Sequence, residues 1–133
     1  MTQFFVSTTP RGQQRPRVVR SKGGAHAYTP SQTKEAQWEI RQAAIEAGVT
    51  MLEGPVNVTA LVTFPRPKSH TRKQRQSMWH ISKPDTANLG ALLADALEGV
   101  AYASDSQVCE LFVQKVYSED PSGWDVSVEA LDG

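Results

Sequence analysis

HISKPDTANLGALLADALEGV, residues 80–100, is the stretch that decides the fold. Leu89, Leu92, Leu93, Ala96, Leu97 and Val100 follow the i, i+3, i+4, i+7, i+8, i+11 rule of an amphipathic helix. Asp85, just after Pro84, stands where a helix start needs an acceptor for its free amide groups and where the dipole favours an anion. Gly99 suits the other end. At 100° per residue, Asn88, Ala91 and Asp95 share an edge away from the leucine stripe. That edge is bare: Ala87, Gly90 and Ala91 stand where polar side chains are expected, and Asp95 interrupts an otherwise apolar run.

Working outward, GPVNVTALVTFP (54–65) alternates Val56, Val58, Ala60, Val62 and Phe64 with Asn57, Thr59, Leu61 and Thr63, the period of a strand. VCELFVQKVYS (108–118), GWDVSVEAL (123–131) and QFFVSTTP (3–10) also read as strands. Ser31 to Ala47 repeats Ala36, Ile40, Ala43, Ala44 and Ala47 at helical spacing, with Thr29 or Ser31 as cap, Pro30 near the first turn and Gly48 at the end. RGQQRPRVVRSKGGAHAYTP (11–30) reads as a loop with one strand at Pro16–Arg20. The order strand, helix, strand, helix, strand, strand predicts an α+β fold: one small domain over residues 1–133, a mixed β-sheet with two main helices packed on it. Residues 65–83 form a long basic connection without periodicity, of the kind that is functional or disordered.

The net charge of zero conceals an asymmetry. Residues 1–83 hold 13 Lys plus Arg against 4 Asp plus Glu, a balance of +9, and residues 84–133 hold 1 against 10, a balance of −9. Segments 1–34 and 66–83 each carry six basic residues and no acid. This points to a polyanion partner for the basic part, two mutually compensating solvated faces being the plainer reading. A single cysteine, Cys109, excludes an internal disulfide, and its strand alternation predicts a buried thiol. No run has the length of a signal peptide's apolar core or of a membrane span, so the expectation is a soluble cytoplasmic protein with no membrane partner.

Asp85 at a helix start and Asp105 in a turn are carboxylates of the type that hold Mg²⁺, a cation that takes hard oxygen ligands and keeps several waters. On position alone, an N-cap for Asp85 and a turn residue for Asp105 are the plainer readings. His70 and His80 lack partners at metal-ligand spacing and read as polar surface or phosphate contacts. Trp38 and Trp124 read as core or interface.

KPDTANLGALLADALEGVAYASDSQV (83–108) resembles the signature of the RusA-type Holliday junction resolvases, K-P-D-x-D-N-L-x-K followed by D-A-L-x-G-V and D-D-x-Q-V. RPRVV (15–19) and YTPSQT (28–33) resemble further segments of that family, so the likeness spans nearly the whole chain. It implies a Mg²⁺-dependent homodimeric endonuclease, with Mn²⁺ as a substitute, acting on four-way or branched DNA in recombination and repair in a bacterial or phage-infected cell. Asp85 and Asp105 inherit the acidic metal-site role. Three positions depart from the pattern: Ala87 replaces the second aspartate of D-x-D-N, Ala91 a lysine, and Ser104 the first of two adjacent aspartates. Fewer carboxylates mean weaker metal binding and slower cleavage, so a branched-DNA-binding protein deficient in cleavage is the rival reading. Phosphate contacts are expected from Arg66, Lys68, Arg72, Lys73, Arg75 and Lys83, and from Arg15 and Arg17 in the RPR segment. Trp79 is placed to stack on an unpaired base, or else to pack on its own domain.

Overall fold

The computed structural model describes residues 1–14, 17–28, 30–119 and 121–132. Its elements are β1 (Thr2–Ser7), β2 (Arg17–Ser21), β3 (Gly24–Tyr28), α1 (Ser31–Glu46), β4 (Val56–Pro65), α2 (Thr86–Leu97), β5 (Val108–Ser118) and β6 (Gly123–Ala130). Four strands make one mixed sheet in the order β1-β6-β4-β5; β2 and β3 pair apart from it. β1–β6 and β6–β4 are antiparallel, whereas β4–β5 is parallel. This is the α+β arrangement expected from the sequence, with two helices against a mixed sheet.

The alternation in β4 sends Val56, Val58, Ala60, Val62 and Phe64 to one face, where all are buried. Against them lies the leucine stripe: Leu89, Leu92, Leu93, Ala96 and Leu97 are completely buried. Ile40 and Ala44 of α1, Trp124, Val126 and Val128 of β6, and Phe4 and Val6 of β1 close the same core. Gly90 is small for a packing reason. A Cβ there would sit 3.0 Å from Leu111 Cδ2 and 3.6 Å from Val113 Cγ2, so its hydrogen lets α2 lie close on β5.

Several local expectations need correcting. GAHAY is a strand, not loop: β2 and β3 form a hairpin across Lys22–Gly23, with Gly24 at φ 113°. The N-cap of α1 is Pro30 and no side chain caps it; the amide groups of Thr33 and Lys34 donate instead to the Pro30 carbonyl. Thr29 lies outside the described residues. Cys109 is exposed on the edge strand β5 rather than buried. Trp124 is core, while Trp38 is 60% exposed.

Because the leucine stripe is buried within a single chain, Leu92→Ala or Leu93→Ala is expected to cost about 2–5 kcal/mol. Urea denaturation checks this, and the loss is expected to be the same at all protein concentrations. A midpoint shift that appears only on dilution would place the stripe at an interface instead.

Candidate active site and nucleic-acid interface

Asp85 is the N-cap of α2. Its Oδ1 accepts the Asn88 amide at 2.8 Å, and its own carbonyl accepts the Leu89 amide at 3.1 Å. The carboxylate is exposed, and Oδ2 takes no hydrogen bond from a described residue. The turn before it is fixed from β5: the Lys115 ammonium donates to the Ser82 carbonyl at 2.7 Å and the Pro84 carbonyl at 2.8 Å. Lys115 is the one cation of the acidic half. The N-terminal arm passes close by. A Cβ on Gly12 would lie 2.8 Å from Pro84 Cβ and 3.2 Å from Asn88 Cβ, a gap that only glycine fits. Ala87 and Ala91 are exposed. Ala87, Leu111 and Phe112 line an open depression of about 340 Å³.

The far end of α2 is acidic. One carboxylate oxygen each from Asp95, Glu98 and Asp105 lies within 4.8 Å of the others. Asp95 lies in the last turn of α2 and Glu98 is its C-cap, and the turn after the helix brings Asp105 back to them. Gln107 fixes that turn. Its Oε1 accepts the Ala103 and Ser104 amides at 3.0 and 3.1 Å, and its Nε2 donates to the Leu52 and Gly54 carbonyls at 3.0 and 2.9 Å. Ser104, in place of the expected aspartate, caps the turn through its hydroxyl. Arg41 of α1 donates to the Ala96 carbonyl at 2.9 Å and the Asp95 carbonyl at 3.4 Å, compensating the negative end of the helix. Buried Tyr102 donates to the Ala94 carbonyl at 2.6 Å. Burial first, then the charges of Asp105, Glu98 and Asp95, raise its pKa, so it stays a neutral donor.

Asp85 and Asp105 therefore do not meet within one chain. Ten residues of helix separate Asp85 from Asp95, on the order of 15 Å at 1.5 Å per residue. Glu98, absent from the sequence-based site, is part of the acidic group. Its i, i+3 spacing from Asp95 was the available signal.

The basic connection is ordered by two of its own arginines. The Arg66 guanidinium donates to the Gln74 and Ser77 carbonyls at 3.2 and 2.8 Å and lies 4.8 Å from the centre of the Tyr117 ring. Its side chain is only 8% exposed. Arg75 donates to the carbonyls of Pro67, Lys68 and His70, and both arginines approach Glu119, at 3.5 and 3.3 Å. Lys68, Arg72, Lys73 and Lys83 are exposed and carry no side-chain partner among the described residues. Trp79 is 49% exposed. His80 is not surface: it is buried, stacked on Phe64 at 3.9 Å, and its Nδ1 has no hydrogen-bond partner among the described residues. His70 sits edge-on to Tyr117 at 5.0 Å. Arg17 begins β2, its side chain undescribed, and Arg15 lies outside the described residues.

Residues 7–129 match the family described as Endodeoxyribonuclease RusA. The chain belongs to the RusA endodeoxyribonuclease family. RusA proteins are nucleases of the Holliday junction resolvase type, which bind branched DNA during recombination. The chain is also similar to a protein of Bacillus subtilis (strain 168) described as "Uncharacterized protein YqaN". The two are 33% identical over 127 residues, which covers 90% of this chain and 89% of that one. No helix among the described residues is long and apolar enough to cross a membrane.

In this RusA chain the His80 ring helps to seat the basic connection on the sheet. Burial, and then the Lys115 ammonium, lower its pKa from 6.5, against a smaller backbone hydrogen-bond effect that raises it. The folded state favours the neutral ring, so below about pH 6.5 the unfolded chain binds more protons. The stability this ring contributes is therefore full above pH 6.5 and is lost as pH falls from there through the lowered folded pKa. Urea midpoints across that range are expected to drop in the native chain and to drop less in His80→Phe, which keeps the stack and removes the titration.

Proposed function

We propose that this chain is a Mg²⁺-dependent, structure-selective endonuclease that resolves Holliday junctions as a homodimer, and that Ala87 slows its cleavage. The observation that carries the reading is the gathering of Asp95, Glu98 and Asp105 within 4.8 Å, in a segment that belongs to a nuclease family. None of the three carboxylates forms an ion pair with a described residue. All oxygen and largely exposed, the donor set fits a hard cation that keeps several of its waters, Mg²⁺ or Mn²⁺. When bound, such an ion activates water and offsets charge on the leaving oxygen of a phosphodiester.

The chain's own residues divide the remaining work. Gln107 and Lys115 act as positioning residues, holding the turns that carry Asp105 and Asp85. Lys68, Arg72, Lys73 and Lys83 neutralise phosphates; Arg66 and Arg75 shape the loop that presents them. Since Asp85 and Asp105 lie at opposite ends of α2, a site that uses both takes Asp85 from one chain and Asp105 from another. A two-fold dimer forms two such sites, one for each of two opposed strands of a four-way junction. Ala87 leaves Asp85 without a second carboxylate and Ala91 supplies no cation. This favours the second reading, a cleavage-deficient protein that binds branched DNA. The place of action that goes with either reading is the cytoplasm of a bacterial or phage-infected cell.

A synthetic four-way junction tests this. In Mg²⁺ the native chain is expected to bind and to nick slowly or not at all. Ala87→Asp is expected to raise nicking by ~10–100-fold, the scale on which changes around a metal site act, with little gain in binding. Within that background, Asp85→Asn and Asp105→Asn each abolish the gain, and mixing the two chains restores part of it, because one mixed site keeps both carboxylates. No recovery on mixing would refute the shared site. A native chain that already cuts as fast as Ala87→Asp would remove the role given to position 87.

Binding has its own test. The affinity for the junction is expected to fall steeply with salt. Changing Lys68, Arg72 and Lys73 together to alanine is expected to make the log–log slope shallower by about 0.9 for each phosphate no longer neutralised on duplex arms. An unchanged slope would assign phosphate binding to other side chains.

A further inference from the structure

Where the basic connection folds over the end of β5, it encloses a cavity of about 240 Å³. Trp79, Ile81, Tyr117 and His70 line it, together with Gln74. The volume is below the roughly 300–1,000 Å³ of ordinary small-molecule pockets and suits a single flat ring system. The walls are apolar and exposed: Trp79 is 49% and Ile81 91% open to solvent.

The cavity is built rather than incidental. The Tyr117 amide donates to the Met78 carbonyl at 2.7 Å and the His80 amide to the Lys115 carbonyl at 3.2 Å, so the backbone on either side of Trp79 is tied to β5. Arg66 lies against the Tyr117 ring, and His80 is wedged between Phe64 and Tyr117. The polar lining, His70, Gln74, Ser77 and Ser82, can donate from every side chain, Ser77 Oγ already accepting the Trp79 amide at 3.3 Å. Gln74 Oε1 accepts the Thr71 amide at 2.7 Å, and its Nε2 donates to no described residue. His70 Nδ1 lies 3.3 Å from the Arg66 guanidinium. An arginine can only donate, so in the neutral ring Nδ1 accepts and the proton sits on Nε2. On the same basic connection, Lys68, Arg72, Lys73 and Lys83 are exposed and carry no side-chain partner among the described residues.

We propose that this cavity receives one unpaired nucleobase from the branch point of the DNA, stacked on Trp79, while the cations of the basic connection hold the phosphates on either side. The inference rests on the branched-DNA reading and deepens it. Aromatic stacking accepts any base, and the donors of the lining match the carbonyl and ring-nitrogen acceptors of a base edge. A continuous duplex keeps its bases stacked and has none to give, so the cavity discriminates a branch from the arms, which the cations alone do not.

The experiment measures binding to a four-way junction and to a matched duplex in EDTA, where cleavage is absent, for the native chain, Trp79→Ala, Trp79→Phe and Ile81→Ala. A junction carrying 2-aminopurine at the branch point reports stacking as fluorescence quenching. Trp79→Ala is expected to weaken junction binding by about tenfold or more, to leave duplex binding unchanged and to abolish the protein-dependent quenching. Trp79→Phe keeps most of both signals. Ile81→Ala, at a side chain too exposed to support folding, gives a smaller loss in the same direction. If the native chain shows no preference for the junction, the branched-DNA reading fails and this inference with it. If the preference is present but neither Trp79→Ala nor Ile81→Ala changes it, the cavity does not take a base and the inference alone is overturned. Equal losses on junction and duplex overturn it as well, since they would make Trp79 a general contact.

Discussion

The structure turns on the parallel pairing of β4 with β5. Two antiparallel neighbours can be joined by a tight turn, but parallel neighbours require the chain to travel back along the sheet before it starts the second strand. Here the return path is the basic connection followed by α2. The same constraint that covers the hydrophobic face of β4 with a leucine stripe also projects a cationic loop from one end of the sheet and places an acidic turn at the other. Core and chemistry share one crossover: Gly90 brings the helix close to β5, and the helix sets the separation between Asp85 and the acidic group around Asp105.

The elements with strong periodicity were legible in the sequence. The leucine stripe, the alternation of β4 and the Asp85 cap are local physics, each decided by side chains within a few residues of one another. What the sequence hid is what distant residues decide. β3 (GAHAY) has no β-branched residue and no apolar alternation of its own, and it becomes a strand because β2 lies beside it; the Gly23–Gly24 pair was a hairpin signal that the composition of its surroundings outweighed. The exposure of Cys109 follows from β5 being an edge strand, a fact of strand order that alternation cannot express. The pairing order β1-β6-β4-β5 was equally out of reach, because it depends on which hydrophobic faces share a layer.

The candidate site divides in the same way. Asp85 and Asp105 were visible as carboxylates at an element start and in a turn, and the family likeness named their role. The distance from Asp85 to Asp95 was implicit in the spacing, since a helix converts residue count directly into length, but the turn that returns Asp105 to the Asp95 end was not. The basic connection was harder to read. Its like charges look equivalent on paper, yet Arg66 and Arg75 lie folded inward on main-chain carbonyls while Lys68, Arg72 and Lys73 point to water. A guanidinium presents five donors in a fixed fork and can satisfy several carbonyls at once. That chemistry is invisible in a count of charges.

This inward use of Arg66 and Arg75 bears on the thermodynamics of association. A cationic loop without internal ties gives up its conformational freedom when it meets a polyanion, and that ordering cost appears as an unfavourable entropy of binding. Here two guanidiniums, a tyrosine ring and a buried imidazole have already fixed the loop's path during folding. The ordering cost has been moved from the encounter to the fold, and the loop meets its ligand as a preformed mould whose recognition is set by shape as well as by charge.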